Sequence, residues 1–190
     1  MTDIWFTSDS HFNHENFLNF VDNNGEKIRR FSTVEEMNDC LITKWNERIK
    51  LFDRVYHLGD VGFDSISNNR ILSKLNGSKR LIIGNHDVIK GDLIHHFKKI
   101  SLWRIFKEYD IVLSHLPLHE DSMYKVTFDA HGHIHQQPSP SIRHINLCVE
   151  CTDYAPVHLD ELLAEMAIRR SIIENCGSYQ LVPYNYKVLR

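Results

Sequence analysis

Short apolar runs rich in β-branched and aromatic residues recur along the chain, and five of them end at a polar cluster. The runs are 4–7, 54–58, 80–83, 111–114 and 126–130, and the clusters that follow them are 8–11, 59–60, 84–87, 115 and 131–135. Runs of this length and composition predict buried strands. Two more strands are predicted at 142–149 and 180–188, without a comparable cluster after them.

Segments with helical spacing of apolar residues lie between these runs. The segment 32–49 has this spacing, and its apolar positions are Val34, Met37, Leu41, Trp45 and Ile49. Ser32 and Glu35 fit a capping box at its start. Helices are also predicted at 68–75 and 159–175, each followed by a glycine stop signal. Alternating strands and helices predict an α/β fold with the helices outside the sheet.

The polar clusters are expected to meet, because ligands in such folds collect where strands end at their carboxyl edge. Residues far apart in the sequence would then line one pocket. Asn23-Asn24-Gly25 predicts a hairpin turn, since Asn-Gly supplies the positive φ angles of tight turns. This hairpin and the segment 116–125 are candidate walls of the pocket, and such loops usually set specificity.

Length and composition predict an ordinary globular protein. The 190 residues suit one domain, 1–190, with 42% hydrophobic and 25% charged residues. No apolar stretch reaches the roughly 18–20 residues that span a bilayer, so we expect no membrane association. A net charge of -3 argues against binding of long nucleic acids. Four cysteines and no secretion signal predict free thiols and a cytoplasmic location.

Thirteen histidines change this picture, because histidine is a common metal ligand. The polar clusters contain two carboxylates, one amide and four imidazoles, at Asp9, His11, Asp60, Asn85, His115, His133 and His135. Nitrogen and oxygen ligands without thiolate suit Mn²⁺, Fe, Zn²⁺ or Ni²⁺ and exclude a thiolate-rich structural zinc site. Seven ligands exceed the need of one tetrahedral ion, so we predict two divalent ions that share one carboxylate.

A two-metal site has a known hydrolytic chemistry. Ions roughly 3.5–4 Å apart convert a bridging water to hydroxide near neutral pH, and the hydroxide attacks phosphorus in line. The metals also neutralise charge on the phosphoryl oxygens, so an acidic protein can bind a phosphate ester.

The ordered motifs resemble the five signatures of the calcineurin-like metallophosphoesterases, over residues 4 to about 158. They are Asp9-x-His11, Gly59-Asp60, Gly84-Asn85-His86-Asp87, a lone His115 after a strand, and Gly132-His133-x-His135. The finer pattern, with Tyr56-His57-Leu58 before Gly59 and Tyr154-x-Pro156-Val157, is similar to a compact bacterial and phage subgroup. The resemblance implies a four-layer αββα sandwich of two mixed β-sheets flanked by helices.

The resemblance also implies roles for individual residues. One metal would bind Asp9, His11, Asp60 and His135, and the other would bind Asp60, Asn85, His115 and His133. His86 would contact the phosphate and assist the leaving oxygen, which needs a proton donor, and Asp87 would orient His86.

The substrate is less defined than the chemistry. Val61-Gly62-Phe63 departs from the continuation seen in protein serine/threonine phosphatases, and there is no room for the extra domain of DNA-repair nucleases. We therefore expect a small phosphodiester, with nucleotides among the candidates, hydrolysed with Mn²⁺ as the favoured metal. Phosphomonoester hydrolysis by the same metal pair and a non-catalytic scaffold that keeps the fold remain alternatives.

Several other polar residues have a weaker assignment. His14 and Asn16 lie near the Asp9 loop and are candidate substrate contacts, and Arg30 or Arg29 is a candidate phosphate clamp, with plain surface charge as the alternative. His57 is a candidate to support a metal ligand through a hydrogen bond.

The remaining histidines, cysteines and basic pairs are predicted to lie outside the metal site. Cys148-x-x-Cys151 has no second pair and lies on a predicted strand, where the thiols would face opposite sides. The histidines predicted not to bind metal are His95, His96, His119, His131, His144 and His158. The basic pairs Lys98-Lys99 and Arg169-Arg170 are predicted to be helix surfaces.

Overall fold

Two mixed β-sheets pack against each other in the computed structural model, which describes residues 2–62, 65–123 and 125–176. The first sheet contains β1 (Ile4–Thr7), β2 (Arg54–His57), β3 (Ser78–Ile82), β4 (Lys99–Ser101) and β9 (Val157–His158), in the order β4-β3-β2-β1-β9. The second sheet contains β5 (Trp103–Phe106), β6 (Ile111–Ser114), β7 (Phe128–His131) and β8 (His144–Asn146), in that order. The predicted strand at 180–188 lies outside the described residues.

The direction of the strands places the five polar clusters at the carboxyl ends of parallel strands. Strands β1 to β4 run parallel, and only β9 is antiparallel to its neighbour β1. In the second sheet β6, β7 and β8 run parallel, and β5 is antiparallel. The five predicted clusters follow β1, β2, β3, β6 and β7, all of which are parallel members of their sheets. Their carboxyl ends therefore carry the candidate ligands.

Helices and apolar side chains enclose the sheets. Helices α1 (Val34–Arg48) and α2 (Ser65–Leu72) pack on one face of the first sheet, with Met37, Leu41 and Trp45 against Trp5 and Val55. Helix α3 (Leu159–Cys176) places Leu162 and Met166 in the core between the two sheets. The other side chains of this core include Phe6, Tyr56, Ile82, Phe106, Leu113, Phe128, Ala130 and Ile145. The α/β class with two mixed sheets and flanking helices is thus confirmed.

The segment after His115 differs from its prediction as a pocket wall. Leu118 and Met123 of this segment pack with Val126 on Val112, which alternates with the core residues of β6 and so lies on the outer face of the second sheet. The segment therefore covers the outer face of this sheet. The Asn-Gly hairpin is confirmed, because Val21 pairs with Lys27 across a turn in which Gly25 has φ 79°.

Local details correct four other predictions. The N-cap of α1 is Thr33 and not Ser32, and its hydroxyl accepts the backbone N–H of Glu36 at 3.1 Å. Lys99 lies in β4, a strand too short to show a pattern in the sequence, and not on a helix. The helix predicted at 68–75 is α2, which begins earlier, at Ser65. Arg169 is fully buried and donates to the carbonyls of Ile142 and His144, so it is not a helix-surface residue.

Across the described ranges no helix combines the length and the apolar character needed to cross a bilayer.

Candidate metal centre

The loops that carry the predicted ligands have an uncommon backbone conformation. Five of the residues have positive φ angles, at Asp9 (55°), His11 (47°), Asp60 (55°), His133 (71°) and His135 (49°). Non-glycine residues rarely adopt this left-handed region, which costs about 1–3 kcal/mol each and is concentrated at functional sites. Both candidate ligand groups contain residues in this conformation.

The first group of ligand atoms comes from Asp9, His11 and His135, which lie within 4.8 Å of one another. His11 Nε2 lies 3.7 Å from Asp9 Oδ1. Asp9 Oδ1 and both ring nitrogens of His11 are buried without a hydrogen-bond partner among the described residues. Such orphaned polar atoms are costly, at about 1–3 kcal/mol each, unless another group binds them. A divalent cation fits this set of atoms.

The other oxygen of Asp9 is fully occupied. Asp9 Oδ2 accepts hydrogen bonds from Ser8 Oγ at 2.5 Å, the backbone N–H of His133 at 2.9 Å and Cys148 Sγ at 3.2 Å. Burial raises the pKa of the Cys148 thiol well above its ordinary value, so the sulfur stays protonated as a donor. These contacts orient the carboxylate so that Oδ1 is left for a metal.

The second group consists of Asp60, Asn85, His115 and His133. The ligand atoms of Asp60, His115 and His133 lie within 4.8 Å of one another. Asn85 Oδ1 lies 2.8 Å from His115 Nε2 and 2.9 Å from His133 Nδ1. His115 Nδ1 donates to the carbonyl of Leu58 at 2.8 Å, which leaves Nε2 with the lone pair. One amide oxygen, one carboxylate and two imidazoles suit a second divalent cation.

Asp60 lies between the two groups. Its Oδ2 atom is 3.6 Å from His11 Nε2 of the first group and 3.6 Å from His115 Nε2 of the second group. Its Oδ1 atom accepts the backbone N–H of His86 at 2.9 Å. One carboxylate oxygen therefore faces both sets of ligands, as a shared ligand must.

His86 and Asp87 follow Asn85 in the same loop. The His86 ring is exposed at the mouth of the site. Its centroid lies 5.8 Å from the centroid of the buried His11 ring. The Asp87 carboxylate accepts the backbone N–H groups of Asp60, Val61 and Gly84, at 2.8–2.9 Å. These three hydrogen bonds fix the loop that carries Asp60, whereas the predicted role of Asp87 in orienting His86 stays a prediction.

Two buried charged residues that sequence reasoning did not assign to the metal site support the first group. Glu150 accepts from His135 Nδ1 at 3.2 Å and from Arg29 at 2.7 Å. Arg29 also donates to the carbonyls of Asp9 and Ser10. Burial lowers the pKa of His135, but the hydrogen bond and charge of Glu150 outweigh it and raise the pKa. Arg29 is fully buried, so it holds the Asp9 loop in place and is not plain surface charge.

The tentative substrate contacts lie at different depths. Burial and the neighbouring His11 and His86 lower the pKa of His14 to about 4, and its ring centroid is 5.7 Å from that of His11. Asn16 is exposed on a short 3₁₀ helix beside it. Arg30 is 77% exposed and forms an ion pair with Glu26 at 3.1 Å. The structure thus brings His14 to the site, while Arg30 lies on the surface.

The other histidines and cysteines take structural positions. His57 is buried and hydrogen-bonds Ser10 Oγ, and its Nδ1 accepts the N–H of Gly59 at 3.3 Å, so it links the loops of Asp9 and Asp60. Burial lowers its pKa to about 4. Cys148 does not lie on a strand, because β8 ends at Asn146, and Cys151 follows in a 3₁₀ turn.

Similarity to known proteins places the chain in a family. It is 36% identical over 176 residues to the uncharacterized protein MJ1445 of Methanocaldococcus jannaschii, covering 84% of this chain and 89% of that protein. This chain belongs to the MJ1445 family. No model of a protein family matches it.

Solved structures show a related fold. The crystal structure of AQ665 from Aquifex aeolicus, a protein of unknown function, matches with a TM-score of 0.69 and 28% identity, over 85% of this chain and 98% of that one. A novel archaeal phosphodiesterase matches with a TM-score of 0.44 and 16% identity, over 77% and 82% of the two chains, which is too low to carry an argument.

Proposed function

We propose that the chain is a metal-dependent phosphoesterase that hydrolyses a small phosphodiester with two divalent cations, Mn²⁺ being the favoured metal. The observation that carries this proposal is the position of Asp60 Oδ2, at 3.6 Å from a histidine nitrogen of each ligand group. Two bound divalent cations would supply water activation and charge neutralisation at the phosphoryl group.

The residues of the chain account for binding and proton transfer. Asp9 and Asp60 are the only carboxylates in the proposed ligand set, so two divalent cations would leave the centre positive and attractive to a phosphate ester. His86 is exposed at the mouth of the site and is the proposed proton donor to the leaving oxygen. Asp87 accepts the backbone N–H of Asp60, and Asp60 accepts the backbone N–H of His86, so these hydrogen bonds hold the loops of His86 and Asp60 together.

An open groove beside the ligands gives a small substrate room. The groove has a volume of about 370 Å³ and is lined by Ile28 and by the segment from His133 to Gln137. His133 and His135 thus contribute both to the metal groups and to the wall of the groove. This supports a small phosphate ester, with nucleotides among the candidates, and a cytoplasmic location fits such a substrate.

The test compares two aryl esters on metal-loaded protein. Bis-p-nitrophenyl phosphate should be hydrolysed faster than p-nitrophenyl phosphate, and the reverse order would reassign the protein as a phosphomonoesterase. His86→Ala should slow esters of a poor, alkyl leaving group more than the p-nitrophenyl ester, because only a poor leaving group depends strongly on a proton donor. The exposed His95, replaced by Ala, is the matched control. Metal binding without hydrolysis of any ester in a nucleotide panel would indicate a scaffold.

A further inference from the structure

Three arginine side chains extend the layer between the two sheets at the edge where β3, β4 and β5 lie. Each stands two positions before a residue of the inter-sheet core, and the pairs are Arg54 and Tyr56, Arg80 and Ile82, and Arg104 and Phe106. Residues two apart on a strand share a face of the sheet. At this edge, guanidinium groups from both sheets therefore replace the apolar side chains that fill the rest of the space between the sheets.

These arginines line a cavity of about 160 Å³, which we name the arginine crevice. Its other polar side chains are Tyr56 of β2 and Lys99 and Ser101 of β4. Arg80 lies over the Tyr56 ring at 5.6 Å, and Arg104 lies over the Phe106 ring at 5.1 Å. The aromatic rings thus hold two of the guanidinium groups in place at the wall of the cavity.

The crevice carries positive charge without a matching negative charge. Within the described ranges, none of Arg54, Arg80, Lys99 and Arg104 forms an ion pair with a carboxylate. Burial lowers the pKa of Arg80, and the repulsion from Arg54 and Arg104 acts in the same direction. Residues 177–190 contain no aspartate or glutamate. Four neighbouring cations in a chain of net charge -3 are therefore left uncompensated.

The crevice is separate from the metal centre. The residues that line it are Arg54, Tyr56, Arg80, Leu81, Ile82, Lys99, Ser101 and Arg104. None of these side chains belongs to the candidate ligand set, so a ligand in the crevice would share no residue with the metal groups.

We propose that the arginine crevice binds a phosphate group, either inorganic phosphate or the phosphate end of a small phosphorylated molecule. Guanidinium groups donate paired hydrogen bonds that match the geometry of phosphate oxygens. Bound phosphate would offset the mutual repulsion of the arginines. This site is independent of the hydrolytic function, since it uses none of the metal ligands.

The experiment is a calorimetric titration of metal-free protein with inorganic phosphate, pyrophosphate, adenosine monophosphate and, as an uncharged control, adenosine. Removing the metals removes the other site that attracts phosphate. Wild-type protein should bind the phosphates and not adenosine, and tighter binding of adenosine monophosphate than of inorganic phosphate would identify a nucleotide as the source. Arg80→Gln and Arg104→Gln should each weaken binding about tenfold or more, which is the loss expected for a charge-assisted hydrogen bond.

Arg70→Gln, on the exposed surface of α2, is the matched control and should bind as wild type does. Thermal unfolding gives a second readout. Phosphate should raise the unfolding temperature of wild type, whereas Arg80→Gln should unfold at a higher temperature than wild type without phosphate and should lose the response to it. Absence of phosphate binding to wild type, or equal binding by wild type and both crevice variants, would overturn the proposal.

Discussion

The two ligand groups of the metal centre are held by different kinds of contact. The first group is supported by buried charged side chains, since Glu150 binds His135 and Arg29 holds the Asp9 loop. In the second group, His115 is anchored to a backbone carbonyl. His133 and Asn85 are also more open to solvent than Asp9 and His11. The first group is therefore held in place by side chains that are distant in the sequence. The second group is held mainly by contacts within and between the loops that carry its ligands.

This difference predicts unequal metal affinities. Outer-shell carboxylates orient a histidine ligand and increase its basicity. We therefore expect the first group to bind its ion more tightly and to exchange it more slowly than the second group. The variants below are arranged from the largest expected effect to the smallest.

Asp60→Ala should affect both groups, because Asp60 Oδ2 is close to a histidine of each. We expect metal affinity to fall by at least about 1,000-fold at both positions, which exceeds the 10- to 100-fold loss typical of outer-shell partners. Calorimetric titration with Mn²⁺ measures this, and circular dichroism checks the fold. Retention of tight binding at either position would show that Asp60 is not a shared ligand.

Gly132→Ala should damage the first group more than the second. An added Cβ would lie 2.0 Å from Ser8 Oγ and 2.2 Å from Asp9 Oδ2, so the Asp9 carboxylate must move. We expect about 100-fold weaker binding at the first group, the upper end for lost outer-shell support.

The matched control for this variant is Gly25→Ala. Gly25 has a positive φ angle, which Gly132 does not, but its added Cβ would meet nothing within 4 Å. The control should change the stability and leave metal binding unchanged. Equal losses of metal affinity in the two glycine variants would contradict a local effect on Asp9.

Glu150→Gln tests the comparison most specifically. The variant keeps the size of the side chain but removes the charge that faces His135 and Arg29. Metal affinity should fall about 10- to 100-fold at the first group and stay unchanged at the second. Glu26→Gln, which removes an exposed carboxylate paired with Arg30, should change neither. A uniform loss at both groups would indicate general destabilisation, which thermal unfolding would detect independently.

The sequence predicted the convergence of the candidate ligands better than it predicted the residues that support them. Asp9, Asp60 and His115 follow apolar runs that became β1, β2 and β6, so a pattern of strands was enough to bring them together. Glu150 had no such signal, because the run at 142–149 predicts a strand that in fact ends at Asn146. A 3₁₀ turn then carries Glu150 behind His135, and that turn depends on tertiary contacts.

Other differences from the predictions have the same origin. Arg169 has a charged partner four residues earlier, in Glu165, a pattern also typical of an exposed helix face. Its burial results from the carbonyls of Ile142 and His144, which only the packing of α3 on β8 supplies. Local sequence patterns thus predicted the strands and the polar clusters at their ends. Which charged side chains are buried depends on long-range contacts, which these patterns do not show.

Asp129→Asn should have the smallest effect on the centre and a defined effect on stability. Ser114 Oγ lies 2.7 Å from Asp129 Oδ1 and 2.8 Å from the carbonyl of Leu116, and one hydroxyl hydrogen serves only one of them. A protonated Asp129 can donate to Ser114 while its other oxygen accepts from the N–H of Leu118 at 2.8 Å. Burial raises the pKa of Asp129 from 3.8 to about 7.

The sign of the pH dependence follows from this shift. Between pH 4 and pH 7 the folded state binds more protons at Asp129 than the unfolded state, so its contribution to stability falls as pH rises. Asparagine mimics the protonated carboxyl and removes this loss. We expect Asp129→Asn to be more stable than wild type at pH 8, by on the order of 1 kcal/mol, and equal to it at pH 4. Chemical denaturation at both pH values measures the difference, and a less stable variant at pH 8 would exclude a protonated Asp129.

The most direct measurement is anomalous diffraction from crystals of the protein grown with Mn²⁺. The account predicts two peaks roughly 3.5–4 Å apart, one on each side of Asp60 Oδ2. A single peak, or none near the ligand groups, would contradict the shared carboxylate on which the proposed function depends.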